Sequence, residues 1–246
     1  MRISQIRVFR ADLPMREGSY SWSTQSHTAF DTSIVLIDTD DGITGVGECC
    51  PLGPTYLPAY ADGVRAGIAQ LAPSLIGHDP TQLDHINAVM DTHLKGHPYV
   101  KSALDMACWN ILGRANNLPL YILLGGKLQD SVTLYKVVTR TDPAAMAERI
   151  PEYRDQGFRQ FQVKVGESPA TDIIRIHRVA QEMRAGEVLN ADANTGWKQH
   201  EALQVADAIA GLGRQTGIRV TFEQPCLSYH ECLAVRQHTD LPFVLD

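Results

Sequence analysis

Phe161-Gln162-Val163-Lys164, Val188-Leu189-Asn190-Ala191-Asp192, Val220-Thr221-Phe222-Glu223 and Pro242-Phe243-Val244-Leu245-Asp246 decide the fold. Each is a short apolar run that ends on a charged residue, and stretches of helical periodicity lie between them. Short strands alternating with helices imply parallel pairing. In a parallel barrel the carboxyl ends of the strands open onto one face, where active sites are built. Lys164 is thereby predicted to meet Asp192, Glu223 and Asp246. Three converging carboxylates repel one another unless a cation sits among them, so the arrangement predicts a hard divalent ion bound through oxygen. The competing reading takes the acids as separate helix N-caps and the lysine as a side chain snorkelling over strand surface.

The bulk properties exclude several classes. With 246 residues and 44% apolar content the chain can bury a real core. A net charge of −6 without a basic cluster argues against nucleic acid and anionic membrane surfaces as partners. No apolar run reaches the roughly 18 residues of a membrane span, and the N-terminus lacks a signal-peptide core. Cys49, Cys50, Cys108, Cys226 and Cys232 are odd in number and irregularly spaced, which fits reduced thiols and a cytoplasmic location.

Residues 3–9 read as a strand, and 32–38 with 43–48 as a hairpin about Asp40-Asp41-Gly42. Helical spacing follows over 59–75, from a cap at Asp79-Pro80, and over about 100–115. Residues 1–126 therefore read as an α+β capping domain. From 127 to 246 the pattern changes to βα repeats, with strands predicted at 132–138, 160–165, 188–192, 220–223 and 242–246. A closed barrel of this type needs eight strands, and five would leave two apolar edges unpaired. The expectation is a (β/α) TIM-type barrel truncated after its fifth strand, the front of a longer protein. An open five-strand sheet is the structural alternative.

The chain resembles the enolase superfamily, in its mandelate racemase/muconate lactonizing branch, over essentially its whole length. The resemblance rests on the α+β cap, on Lys101-Ser102-Ala103-Leu104-Asp105-Met106-Ala107-Cys108-Trp109-Asn110-Ile111-Leu112-Gly113, on Leu123-Leu124-Gly125-Gly126, and on the ordered Lys…Asp…Glu…Asp series. Gly47-Glu48-Cys49-Cys50-Pro51-Leu52-Gly53-Pro54-Thr55-Tyr56, Gly96-His97-Pro98-Tyr99 and Ala191-Asp192-Ala193-Asn194-Thr195-Gly196-Trp197 make it most similar to the cis-3-hydroxy-L-proline dehydratases and the neighbouring hydroxyproline-betaine epimerases. The resemblance implies Lys164 as the catalytic base, and Mg²⁺ (or Mn²⁺) held by Asp192, Glu223 and Asp246. It implies a substrate that is a small imino acid or betaine carboxylate, and a homo-oligomer. Many relatives carry a second lysine where this chain has Gln162, so an ammonium that would help depress the Lys164 pKa is replaced by a neutral amide.

A lysine base must be uncharged, which means moving from a reference pKa of about 10.4 to about 7–8; burial and the metal are the expected causes. Tyr20 and Trp22 in Glu17-Gly18-Ser19-Tyr20-Ser21-Trp22-Ser23, Tyr56 between the cap prolines, Gln162 and Asn194 are the expected substrate contacts. His97, His200, His230 and His238 show no ligand spacing and are read as structural, as is Cys226. Dehydration of a 3-hydroxylated proline to a cyclic imine is the leading expectation, with racemisation or epimerisation of proline-type substrates as its rival. A rival of another class is a non-catalytic remnant that binds metal or supports an oligomer. If the protein ended at Asp246, little turnover and poor solubility would be expected.

Overall fold

A computed structural model describes residues 1–23 and 25–246. In chain order the elements of the first half are β1 (Ile3–Pro14), β2 (Tyr20–Trp22), β3 (Gln25–His27), β4 (Ala29–Thr39), β5 (Thr44–Cys49), α1 (Ala61–Leu75), α2 (Leu83–His93), α3 (Pro98–Ala115) and α4 (Leu120–Leu123). Those of the second half are β6 (Lys136–Val138), α5 (Pro143–Asp155), β7 (Gln160–Lys164), α6 (Pro169–Glu182), β8 (Val188–Asp192), α7 (Gln199–Ile209), α8 (Leu212–Thr216), β9 (Arg219–Glu223), α9 (Tyr229–Arg236) and β10 (Phe243–Val244). They form two compact units, Met1–Met15 with Ala29–Asp130, and Arg16–Thr28 with Ser131–Asp246.

The first unit is an antiparallel sheet in the order β1-β4-β5, backed by α1 to α3. Val35 and Ile37 of β4 are fully buried with Val64, Ile68, Leu104 and Ile111, so one sheet face meets one stripe of each helix. The β4–β5 turn carries Gly42 at φ 79°, the positive angle that the Asp-Gly pair predicts. Gly47 lets β5 lie against the backbone of α3: a Cβ there would stand 1.9 Å from the Ala103 carbonyl oxygen. β1 runs well past the predicted residue 9. The expected cap at Asp79-Pro80 is displaced, because the Asp79 carboxylate accepts from the Thr81 N–H at 3.0 Å and closes a turn, and α2 starts only at Leu83.

The second unit is a five-stranded parallel sheet in the order β10-β9-β8-β7-β6, with helices between successive strands. Phe161, Val163, Leu189, Ala191 and Phe222 point to one face and pack with Ile150, Ile176, Val179, Val205 and Ile209 of the helices. Alternate residues project from the other face. The edge strands are shorter than predicted, three residues in β6 and two in β10, since each has a ladder on one side only. The expected contacts Tyr20 and Trp22 lie on β2, which pairs with β3 as a hairpin, Tyr20 opposite His27 and Trp22 opposite Gln25. It is fastened to the ends of the parallel strands: Ser21 N–H donates to Thr139 Oγ1 at 2.6 Å, Arg140 N–H to the Ser21 carbonyl at 2.9 Å, and Ser23 N–H to the Val165 carbonyl at 3.1 Å.

Arg154 and Glu187 form a buried bidentate pair at 2.7 and 2.9 Å, with side chains 7% and 4% exposed. Burial pushes the Glu187 carboxyl upward, but Arg154 and the Arg184 N–H outweigh it and hold it below its usual 4.5. A carboxylate depressed in the folded state adds stability above its ordinary pKa, and that stability is lost as pH falls through the folded value. Removing one partner leaves a buried unpaired charge, which costs about 3–5 kcal/mol. Arg154→Ala is expected to lower urea-unfolding stability by that amount at pH 7, and by less below pH 4.5, where Glu187 can protonate.

Candidate active site

Parallel register builds the site. Lys164 is the ladder partner of Asp192, and Asp192 of Glu223, so three consecutive strand ends place charged side chains in one row on one face. Val244 pairs with Glu223, which sets Asp246 two residues beyond the row. Lys164, Asp192 and Glu223 are buried and Asp246 is exposed. The three acids each present an oxygen within 4.8 Å of the others. Oxygens around one magnesium ion at about 2.1 Å cannot be more than about 4.2 Å apart, so a small inward movement suffices. Hard anionic donors, two of them buried, fit a hard divalent cation.

Lys164 Nζ lies 2.5 Å from Asp192 Oδ2, donates to Asn194 Oδ1 at 3.1 Å, and stands 5.9 Å from the centre of the Tyr20 ring. Burial is the largest influence on its pKa and acts downward, but Asp192 and Tyr20 together outweigh it. The lysine therefore sits above its ordinary value, not depressed as the sequence suggested; the neighbour that decides is a carboxylate. Asp192 is pushed up to about 6 by burial and by Glu223, against the opposing pull of Lys164. Burial likewise raises the Tyr20 hydroxyl, and Lys164 partly counters this.

The other predicted residues are distributed as follows. Asn194 is at the centre: its N–H donates to Asp192 Oδ1 at 2.9 Å, its Oδ1 accepts from Lys164, and its Nδ2 reaches Asp246 Oδ2 at 3.4 Å. Gln162 donates through Nε2 to Glu223 Oε2 at 2.8 Å. Tyr20 and Trp22 lie on β2, ring centres 4.9 Å apart, with Trp22 buried and stacked on His27. Tyr56 belongs to the first unit, where its N–H donates to the Gly53 carbonyl at 3.1 Å.

Two residues escape the sequence reading. Asn190 donates through Nδ2 to the same Glu223 oxygen as Gln162. It lies one alternation before Asp192, a period-two signal that the run itself contains. Asp172 is fully buried and accepts from Gly166 N–H at 3.0 Å, Glu167 N–H at 2.8 Å, Arg175 at 2.7 Å and Trp197 Nε1 at 3.2 Å, which ties down the loop after Lys164. No spacing in the sequence marks it. Gly166, at φ 94°, allows that loop to lie on the next: a Cβ there would meet the Ala193 carbonyl oxygen at 2.2 Å. Asn194, Thr195 and Gln224 follow the proposed ligands at φ 43°, 65° and 34°. Left-handed backbone at non-glycine residues stores strain, and such strain clusters at functional sites.

Comparison with known proteins shows the family. Residues 5–125 match the family described as mandelate racemase/muconate lactonizing enzyme, N-terminal domain, and residues 145–246 match the enolase C-terminal domain-like family. A cis-3-hydroxy-L-proline dehydratase of Roseibium aggregatum is 49% identical over all of this chain, which spans 66% of that protein. An N-succinyl-L-Arg/Lys racemase of Bacillus cereus is 30% identical, again over the whole chain and 66% of its own length. A member of the enolase superfamily from Roseovarius nubinhibens, solved in complex with magnesium, superposes with a TM-score of 0.86 at 41% identity, covering 100% of this chain and 65% of that one. The chain belongs to the mandelate racemase/muconate lactonizing enzyme family of the enolase superfamily, with its N-terminal cap and C-terminal enolase-like domain.

Proposed function

We propose that this protein removes the proton α to a carboxylate, with Lys164 as base, and that its reaction is the dehydration of cis-3-hydroxy-L-proline to pyrroline-2-carboxylate. The observation that carries the reading is the in-register row of Lys164, Asp192 and Glu223 with Asp246 beside it, the lysine 2.5 Å from a carboxylate and the three acids within 4.8 Å. Asp192, Glu223 and Asp246 would hold Mg²⁺, or Mn²⁺ in its place. When bound, the ion supplies positive charge that offsets both the three carboxylates and the charge developing as the α-proton leaves.

The residues divide the rest of the work. Burial by itself favours a neutral amine at Lys164, and Asp192, with Tyr20, opposes it. With a cation held by Asp192 that opposition would weaken, favouring the neutral amine, the form that accepts a proton. The α C–H bond breaks toward Nζ, its electron pair forms the ring double bond, and the 3-hydroxyl takes a proton from a general acid on the opposite face of the ring and leaves as water; the enamine then tautomerises to the imine. Tyr20 and Trp22 line the approach to Lys164 and limit water there. Asn194 keeps Lys164 and Asp192 in a common geometry. The five parallel strands are read as the first part of a (β/α)8 barrel, and five free thiols fit a reducing cytoplasm.

The dehydratase name of the 49% identical relative supports the substrate, and the racemase at 30% keeps epimerisation as the second reading. Proton NMR in deuterium oxide separates them. Loss of the α and 3-hydroxyl-bearing signals with growth of the cyclic imine is the expected result. α-Exchange with an intact hydroxylated ring and inverted configuration would reject the lyase. Lys164→Ala is expected to slow α-proton loss by about 10²–10⁴-fold, the usual contribution of a general base.

The Asp192–Lys164 coupling can be read directly. In Asp192→Asn the desolvated amine loses its main counter-charge, so the Lys164 pKa is expected to fall relative to the parent protein. NMR titration of the ¹³C-labelled lysine side chain measures it, and an unchanged pKa would show that Asp192 does not hold the proton.

A further inference from the structure

The row beneath the charged one is polar. Gln162 pairs in register with Asn190, and Asn190 with Thr221, each one alternation before Lys164, Asp192 and Glu223 respectively. Rows facing the inside of a parallel barrel are ordinarily filled by branched apolar side chains. Polar groups set there cost free energy unless they are paired, and these are paired in one direction. Thr221 Oγ1 donates to Asn190 Oδ1 at 2.7 Å. A carboxylate only accepts, so Asn190 must turn Nδ2 toward Glu223, and its Oδ1 is then left for the threonine hydroxyl. Gln162 Nε2 donates to the same atom, Glu223 Oε2, at 2.8 Å. One oxygen of a proposed ligand thus receives two amide donors, and a carboxylate held through one oxygen keeps the other for a cation. Neutral amides hold the carboxylate without cancelling its charge, whereas an ammonium at the same place would compete with a cation for it.

We propose that Asn190, oriented by Thr221 and assisted by Gln162, is a positioning residue that presents Glu223 Oε1 to a divalent cation shared with Asp192 and Asp246. The proposal rests on the metal reading of this site and adds to it a residue that touches neither the ion nor the substrate.

The test is Mn²⁺ affinity, read by the electron paramagnetic resonance of free Mn²⁺ in titrations of the protein. Alongside, the thermal midpoint is measured in excess chelator. The parent protein is expected to bind one ion and Glu223→Gln to lose it. Asn190→Ala is expected to raise Kd by about 10–100-fold, the usual effect of removing a ligand's hydrogen-bond partner. Thr221→Val, which keeps the amide and removes only its orienting hydroxyl, should weaken binding by a smaller factor, and Thr221→Ser should restore it. Asn190→Ala with a lowered midpoint but an unchanged Kd would overturn the positioning role while leaving the metal site standing. Should Asn190→Ala fail to fold, Thr221→Val decides in the same way: an unchanged Kd overturns the proposal. A parent protein that binds no Mn²⁺, or a Glu223→Gln variant that binds as the parent does, would overturn the metal reading itself and this inference with it.

Discussion

Everything in the site depends on the register of three parallel strands. Because Lys164, Asp192 and Glu223 are ladder partners, backbone hydrogen bonds hold one amine and two carboxylates side by side on one sheet face. A shift of one residue in any strand would turn its charged end into the apolar layer beneath the helices. That layer, with Phe161, Val163, Leu189, Ala191 and Phe222 packed against the helices, resists such a shift. The packing that stabilises the second unit and the alignment that creates its chemistry are therefore one constraint. Burying like charges in this way disfavours the fold locally. The upward displacement of Asp192 to about 6, caused by burial and by the neighbouring Glu223, is its visible sign.

Strain and hydrogen bonding then refine what register sets up. The backbone turns sharply after Asp192 and Glu223, with non-glycine residues in left-handed conformations. Asn194 uses its N–H, carbonyl oxygen and amide nitrogen on Asp192, Lys164 and Asp246 respectively, so one residue spans the base and two acids. On the far side of the charged row, Asn190 and Gln162 converge on Glu223, and Thr221 bonds Asn190. Asp172 draws together two backbone N–H groups, an arginine and an indole behind the loop that follows Lys164. The hairpin β2–β3 brings Tyr20 within reach of the lysine, although it lies more than a hundred residues earlier in the chain.

What could be read from sequence followed the strength of the local signal. The βα repeats announced the parallel sheet because an apolar run closed by a charge is a strong pattern, and the three acids stood out for the same reason. The hairpin at Tyr20 was hidden: three-residue strands carry no periodicity, and their partners at Thr139 and Val165 are remote. Asn190 was legible in principle, since it shares the period-two face of Asp192, but an amide among apolar residues draws less notice than an acid. Asp172 was not legible, because its partners come from loop N–H groups and from residues brought near only by packing. The state of Lys164 differs from the expectation for an electrostatic reason. Burial does favour the neutral amine, as reasoned, but a carboxylate at 2.5 Å reverses the balance until that carboxylate has another partner.

The central claim is that this alignment forms a seat for one divalent ion. Anomalous diffraction from crystals of the protein equilibrated with Mn²⁺ tests it most directly. The account predicts a single strong peak bounded by oxygens of Asp192, Glu223 and Asp246, with Lys164 Nζ farther from Asp192 than 2.5 Å. A map without a peak there, or with manganese elsewhere while Lys164 stays bonded to Asp192, would contradict it.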